Sequence, residues 1–291
     1  MIRYLKHKEI DREKWDQCIA GASFETMYPY SWYLDLVSPG WEGLVGKEYE
    51  MVMPLTWTRK FGFDFLLQPI LAQQLGVFSV NPPTEAELLE FLEAIPSRFR
   101  YVDICLNCLN TELQVHKLNM DRVNYELRLD EPGISYNTNT KRNLEKGRAN
   151  NFVLRDLPVS RYLDLYYSSE KKIPVQRAYL ENPFEGLKGM GRAGAFGLFL
   201  DDELHAAAVL GYAKSRVIYM NGTTTPLGKE SRAMFVLMDH LIESSRGKFP
   251  LFDFEGSNIP GVARFFEGFG GRKILFPRIV RTKFPFFRFK S

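Results

Sequence analysis

Two acids, Asp253 and Glu255, stand two residues apart in the run LFDFEGSNIPGVARFFEGFGG, Leu251 to Gly271. A carboxylate beside a reacting amine can take up its proton, provided burial lifts its pKa towards neutrality. The run alternates, which predicts a short strand with Phe252 and Phe254 on one face and Asp253 and Glu255 on the other. The same spacing also fits an ordinary β-α corner with two solvated acids. A second pattern lies upstream, RVIYMNGTTT from Arg216 to Thr225 followed by PLGKESRAMFVLMDHLI. It reads as a strand, a hydroxyl-rich loop and a helix with Met234, Leu237, Met238, Leu241 and Ile242 on one stripe. Ser231 is the expected cap, flanked by Lys229 and Arg232. A helix N-terminus with unspent N–H groups and two cations suits a phosphate; a well-capped core helix with solvated cations would look the same.

The elements that must hold these residues follow from periodicity. After Phe254, Ser257 or Asn258 can cap a helix opened by Pro260. Val262, Phe265, Phe266 and Phe269 form its apolar stripe, and Gly270–Gly271 stops it. Earlier in the chain a strand is expected over 2–6, helices over 11–19 and 30–37, and a strand over 49–58. A helix over 84–95 and strands over 101–106 and 124–129 complete this half. After Pro132–Gly133 the order recurs. A polar helix over 135–150 exposes Lys141, Arg142, Lys146 and Arg148, and a strand over 151–157 follows. Helices are expected over 160–170 and 177–186, the second interrupted at Pro183, then a hairpin turning at Asp201–Asp202 and the two stretches described above. A closing strand is expected over 274–282. The class is α/β with mixed sheets, in two domains, 1–132 and 133–291.

At 291 residues, 45% hydrophobic and 25% charged, the composition is that of an ordinary globular chain with room for two cores. The net charge of +3 conceals a step: residues 1–130 carry 13 Lys/Arg against 19 Asp/Glu, and residues 131–291 carry 25 against 16. A basic second half suits an anionic partner such as a phosphate-bearing donor, a tRNA or a lipid headgroup; locally paired surface cations would give the same count. Three cysteines (Cys18, Cys105, Cys108) are too few for a disulfide framework, and no apolar run approaches a membrane span, so a cytoplasmic setting is expected.

Several motifs mislead. GMGRAG at Gly189–Gly194 matches a dinucleotide-binding loop by letter, but a helix precedes it and a strand follows, the reverse of what pyrophosphate binding requires. GTTTPLGKES at Gly222–Ser231 has the wrong spacing for a P-loop and lacks its magnesium-binding hydroxyl. Cys105 and Cys108 have one nearby histidine, His116, and the four histidines have no ligand spacing, so no metal is expected.

Taken together, YPYSWYLD, QPILAQQLGVFS, the basic helix TKRNLEKGRA and the terminal FDFEGS with GVARFFEGFGG resemble the Fem-type (FemABX) peptidoglycan-bridge aminoacyltransferases. The resemblance implies two GNAT-like acyltransferase domains in tandem and transfer of an acyl or aminoacyl group to an amine. The donor would be acyl-CoA or aminoacyl-tRNA, with no covalently bound cofactor. The acceptor would be a small or lipid-linked amine of a cell-envelope precursor. On this reading backbone groups around Tyr219, Asn221 and Gly222 receive the oxyanion and Asp253 or Glu255 the proton. Lys141, Arg142, Gly222, Thr223, Lys229, Ser231 and Arg232 hold phosphates. GNAT enzymes cradle coenzyme A with a Q/R-x-x-G-x-G/A loop; this chain has PLGKESRA there, which puts acetyl-CoA in doubt. A non-catalytic relative that binds an anionic ligand, and a nucleic-acid-binding module, are the alternatives.

The tail, Arg278 to Ser291, holds five cations and no acid, interleaved with Phe284, Phe286, Phe287 and Phe289. It can close the sheet and fold back on it, or form a peripheral foot on an anionic membrane at the cytoplasmic face.

Overall fold

The computed structural model describes residues 1–111, 119–169, 174–256 and 258–284. It divides into two compact units, residues 1–123 with 274–291, and residues 124–273. The expected break at residue 132 falls later than this one, and the last strand returns to the first unit. The reason is pairing. The strand that begins before the break has its second half bonded to a strand of the second unit, while the closing strand bonds to one of the first.

In the first unit, β1 (Ile2–Leu5), β2 (Glu42–Gly46), β3 (Met51–Leu55) and β6 (Phe78–Ser79) form an antiparallel sheet. Helices α1 (Arg12–Gly21), α2 (Ser31–Val37) and α3 (Glu85–Glu93) belong to the same unit. Asp11 caps α1 by accepting from Lys14 N at 3.2 Å, and Thr84 with Glu87 forms a capping box on α3. Gly43 lies under the Trp15 ring; a Cβ there would meet the ring at 2.6 Å.

The strand expected over 49–58 is two strands. Thr56 breaks it: its hydroxyl donates to Leu67 O at 2.7 Å and its carbonyl accepts from Leu67 N at 2.9 Å. The chain thereby leaves the first sheet and continues as β4 (Trp57–Lys60), paired with β5 (Phe63–Leu67). β5 runs parallel to β7 (Phe99–Cys105), which pairs antiparallel with the end of β14 (Arg272–Thr282). Leu55, Leu66, Val77, Phe91, Phe99 and Ile104 share one core within this unit. Arg98 ties the two strand sets together, bonding Glu42 of β2 and, at 2.6 Å, Asp64 of β5, with its guanidinium over the Trp57 and Phe99 rings.

The second unit has the strand order β8 (Asn119–Arg128, from Asn124 on), β13 (Leu251–Asp253), β12 (Arg216–Thr224), β11 (Glu203–Tyr212), β10 (Ala193–Leu200) and β9 (Val153–Asp156). Asp201 and Asp202 turn the β10–β11 hairpin with φ of 48° and 64°, as a type I′ turn requires. Helices α4 (Thr138–Arg148), α5 (Val159–Ser168), α6 (Ala178–Gly189), α7 (Pro226–Glu230), α8 (Ala233–Ser245) and α9 (Pro260–Gly268) flank it. α6 runs through Pro183 instead of breaking there. Leu180, Phe184 and Leu187 are buried, and that packing outweighs one lost backbone bond. Ile259 precedes α9 at the cap position and supplies no side-chain cap; of the two expected caps, Ser257 lies outside the described residues. The tail is described as far as Phe284, and the rest of the expected foot, 285–291, lies outside the described residues.

Asn137 caps the basic helix α4 by accepting from Thr140 N at 2.8 Å. Its Arg148 is not simply a surface cation: it bonds the buried Asp239 of α8 at 2.6 Å. Gly147 lets the two helices close up, since a Cβ there would lie 2.5 Å from Val236 Cγ2 and 3.2 Å from Arg232 O. Gly147→Ala should therefore lower the melting temperature. Overpacking against fixed backbone costs about 1–3 kcal/mol and outweighs the ~1 kcal/mol gained in helix propensity. A raised melting temperature would show that α4 and α8 can separate freely.

Candidate functional site

The expected site residues all fall in the second unit; Tyr219 to Thr223 lie on β12, Asp253 and Glu255 at the end of β13, which parts from it, Lys229, Ser231 and Arg232 at the corner after β12, and Lys141 and Arg142 on α4. The two strands pair in parallel from Arg216↔Leu251 to Ile218↔Asp253. Beyond Asp253 the chain follows β8 instead: Phe254 N donates to Tyr125 O at 2.9 Å and Tyr125 N to Glu255 O at 3.2 Å. β12 runs on to Thr224, and among the described residues no strand pairs with that edge past Ile218.

Asp253 and Glu255 do not share a face of one strand, as alternation predicts. β13 ends at Asp253, and Glu255 takes a positive φ of 56°, which breaks the alternation there. Its N–H then donates back to Asp253 Oδ1 at 2.9 Å. Glu255 is half-buried at the mouth of the parting, while Asp253 is 1% exposed. The other Asp253 oxygen accepts from Arg216 at 3.0 Å, and the same guanidinium nitrogen donates to Glu126 at 2.8 Å.

The register explains this cluster. Glu126 lies opposite Asp253, Asp253 lies opposite Ile218, and Arg216 is two residues before Ile218, so all three project from one face. Two carboxylates and one guanidinium leave a surplus negative charge out of water. Burial first, and the Asp253 charge second, push the Glu126 carboxyl above its ordinary value, against the pull of Arg216. Sequence reading missed both Glu126 and Arg216. The only signal was a charge in each of two strands, and the partners are 90 and 37 residues apart.

Along β12 the register shifts between Tyr219 and Asn221, which leaves Met220 as the extra residue of a β-bulge. Burial pushes the Tyr219 phenol well above its ordinary value, and its hydroxyl points at Met234 Sδ, 3.8 Å away. The Tyr219 ring lies against Gly222, where any Cβ would overlap the hydroxyl at 1.8 Å, so this bend in the strand edge admits only glycine. Asn221 pairs with Val209 and is half-buried; Thr223 is buried.

The corner after β12 differs from expectation. A short helix, α7, intervenes, capped by Thr225, whose hydroxyl accepts from Gly228 N at 2.9 Å. Ser231 closes α7 instead of capping α8, its hydroxyl donating to Leu227 O at 2.8 Å. The residue preceding α8 is Arg232, in the left-handed region at φ 64°, with a guanidinium N–H on Lys229 O at 2.8 Å. Lys229 is exposed. Lys141 and Arg142 are also exposed, on α4, the helix packed against α8.

GMGRAG sits between α6 and β10, with the helix before and the strand after. Among the described residues no cluster of three or more His, Cys, Asp or Glu could hold a metal ion, and no helix is long and apolar enough to cross a membrane.

No family model matches the chain, and no curated protein matches it. Solved structures do. FemX superposes with a TM-score of 0.67 at 10% identity, over 94% of this chain and 96% of that one. L-PGS from Bacillus licheniformis gives 0.59 at 11% identity, over 94% and 92%. A tandem GNAT protein from the clavulanic acid biosynthesis pathway gives 0.56 at 10%, over 96% and 98%. The fold is that of tandem GNAT-like acyltransferases, α/β with mixed sheets. In fold the chain is similar to the Fem-type members of that class.

The raised Glu126 carboxyl has a consequence for stability. A group whose pKa is higher folded than unfolded contributes stability below its unfolded value, near 4.5, and loses that contribution as pH rises through the folded value. Glu126→Gln removes this loss. The melting temperature of the variant relative to wild type should climb between pH 4 and pH 7, by denaturation monitored across ~pH 4–8. A difference independent of pH would mean that Arg216 fully compensates the charge.

Proposed function

We propose that this protein is an N-acyltransferase whose second unit moves an acyl or aminoacyl group from an activated donor to an amine. The observation that carries the proposal is the parting of β12 from β13, which leaves an unpaired, bulged strand edge beside a half-buried carboxylate. Acyl transfer needs backbone donors aimed at a developing oxyanion and a group that takes the amine proton. The edge from Tyr219 to Gly222 offers the first, and Glu255 at the mouth offers the second. In this reading the donor carbonyl lies along that edge. The amine nitrogen attacks its carbon, a C–N bond forms, and the C–O or C–S bond to the donor breaks. Glu255 takes the ammonium proton and returns it to the departing oxygen or sulfur. Asp253, with both oxygens engaged, positions Glu255 through its N–H and does not itself exchange protons.

The donor we favour is aminoacyl-tRNA over acyl-CoA. A pyrophosphate cradle needs free amides after the strand, and here the amides of Gly228, Lys229 and Ser231 are spent on Thr225 Oγ1, Thr225 O and Leu227 O at 2.9 Å each. Side-chain cations remain for phosphates: Lys229, Arg232, Lys141 and Arg142. The acceptor we propose, following the Fem-type resemblance, is an amine of a small or lipid-linked cell-envelope precursor. The full engagement of Asp253 favours one competing reading, a non-catalytic relative that binds an anionic ligand here.

Two measurements separate these. Incubation with charged tRNA, acyl-CoA and amine acceptors should give transfer from one donor, and Glu255→Gln should lower turnover ~10²-fold with an unchanged melting temperature. Full activity in that variant would leave positioning alone as the catalysis. Lys229→Ala with Arg232→Ala should weaken donor binding about tenfold in calorimetry, since charged hydrogen bonds contribute about 1.5 kcal/mol or more. Donor affinity that stays unchanged removes this corner from the site.

A further inference from the structure

At one end of a sheet in the first unit, three segments of chain meet. The β4–β5 hairpin turns there, because Lys60 pairs with Phe63 across Phe61–Gly62. β7 starts there, running parallel to β5 from Phe99 opposite Asp64. β14 ends there, with Thr282 opposite Tyr101.

The turn has φ of 51° at Phe61 and 79° at Gly62, positive at both central residues as in a type I′ turn. That turn favours Asn-Gly, and a bulky side chain in the left-handed region is strained. Strain of this kind is ordinarily offset by packing, yet the Phe61 residue is 93% exposed. Phe61 therefore costs the fold twice, in backbone conformation and in apolar surface left in water. Phe63 beside it is 42% exposed and meets Phe284 edge-on at 5.2 Å, and Phe284 stacks on Phe65 at 5.9 Å. Around the rings Arg59, Lys60, Arg100 and Lys283 are exposed. Asp64, the carboxylate of β5, is taken up by Arg98 at 2.6 Å, with Arg59 at 3.9 Å.

We propose that this end of the first unit docks on an anionic lipid bilayer. Phe61 and Phe63 enter the boundary between headgroups and acyl chains, and Arg59, Lys60, Arg100 and Lys283 lie against the lipid phosphates. Charge complementarity and the tip geometry select this partner. Aromatic rings gain by leaving water at a membrane interface, and cations close to it are drawn by the surface potential. A ring at a hairpin apex is open on every side, and a fluid surface can close around it. The inference stands whether or not the second unit transfers acyl groups.

Co-sedimentation with vesicles of phosphatidylcholine, with and without phosphatidylglycerol, tests it on the full chain. Wild type should pellet with the anionic vesicles at low salt, remain in solution with neutral ones, and be released by added salt. Phe61→Asn restores the residue that the turn prefers, so its melting temperature should hold or rise while its vesicle affinity falls roughly tenfold. Lys60→Glu should weaken binding in the same assay. The proposal is overturned if anionic vesicles leave wild type in the supernatant, or if Phe61→Asn pellets as well as wild type. It is also overturned if uncharged tRNA, bound equally by wild type and Phe61→Asn, displaces the protein from vesicles, because the cations would then serve nucleic acid.

Discussion

A guanidinium taken out of water must have its charge answered on the spot, because an unpaired buried charge costs several kcal/mol. Arg216 sits under this constraint in the second unit, and Glu126 and Asp253 answer it. The two carboxylates belong to β8 and β13 and the cation to β12, so the cluster fixes the register of three neighbouring strands at once. A slip of one residue would send one charge to the opposite face, where aromatic packing offers it nothing. Specificity of register is what such a buried cluster supplies best.

Once that register is set, the shape of the site follows. β13 is held to β12 for three pairs only, and Phe254 and Glu255 then continue along β8. The positive φ at Glu255 is the local cost of that departure, offset by its bond to Asp253. On the other side of the opening, the bulge at Met220 and the Tyr219 ring folded over Gly222 bend the free edge of β12. Aromatic rings wedge beneath: Phe266 of α9 touches Tyr219, Tyr125 and Phe254, with centroids 6.1, 6.0 and 5.1 Å apart. The opening is thus framed by packed rings on one face and by the Arg216 charge cluster on the other.

The first unit solves a similar problem with one residue. Arg98 holds Glu42 and Asp64, which belong to different strand sets, and roofs the contact with Trp57 and Phe99. The split of one expected strand at Thr56 is what makes those two sets possible. Alternation in that stretch reads as continuous through Trp57, and the break depends on Leu67, whose backbone bonds both the carbonyl and the hydroxyl of Thr56.

What the sequence determined by itself were the features set by short-range spacing. The helices over α1, α3 and α8, the cap at Asp11, the Asp201–Asp202 turn and the α/β order all depend on residues within a few positions of one another. The apolar stripe of α9 was legible for the same reason. Tertiary structure decided what depends on distant pairing. It made Glu126 and Arg216 part of the site and turned Glu255 away from Asp253. It used Ser231 to close α7, leaving Arg232 to begin α8, and it returned β14 to the first unit. None of these has a local signature, because a strand's neighbours are chosen by burial and hydrogen bonding across tens of residues, and alternation within one strand is the same whichever neighbour it finds.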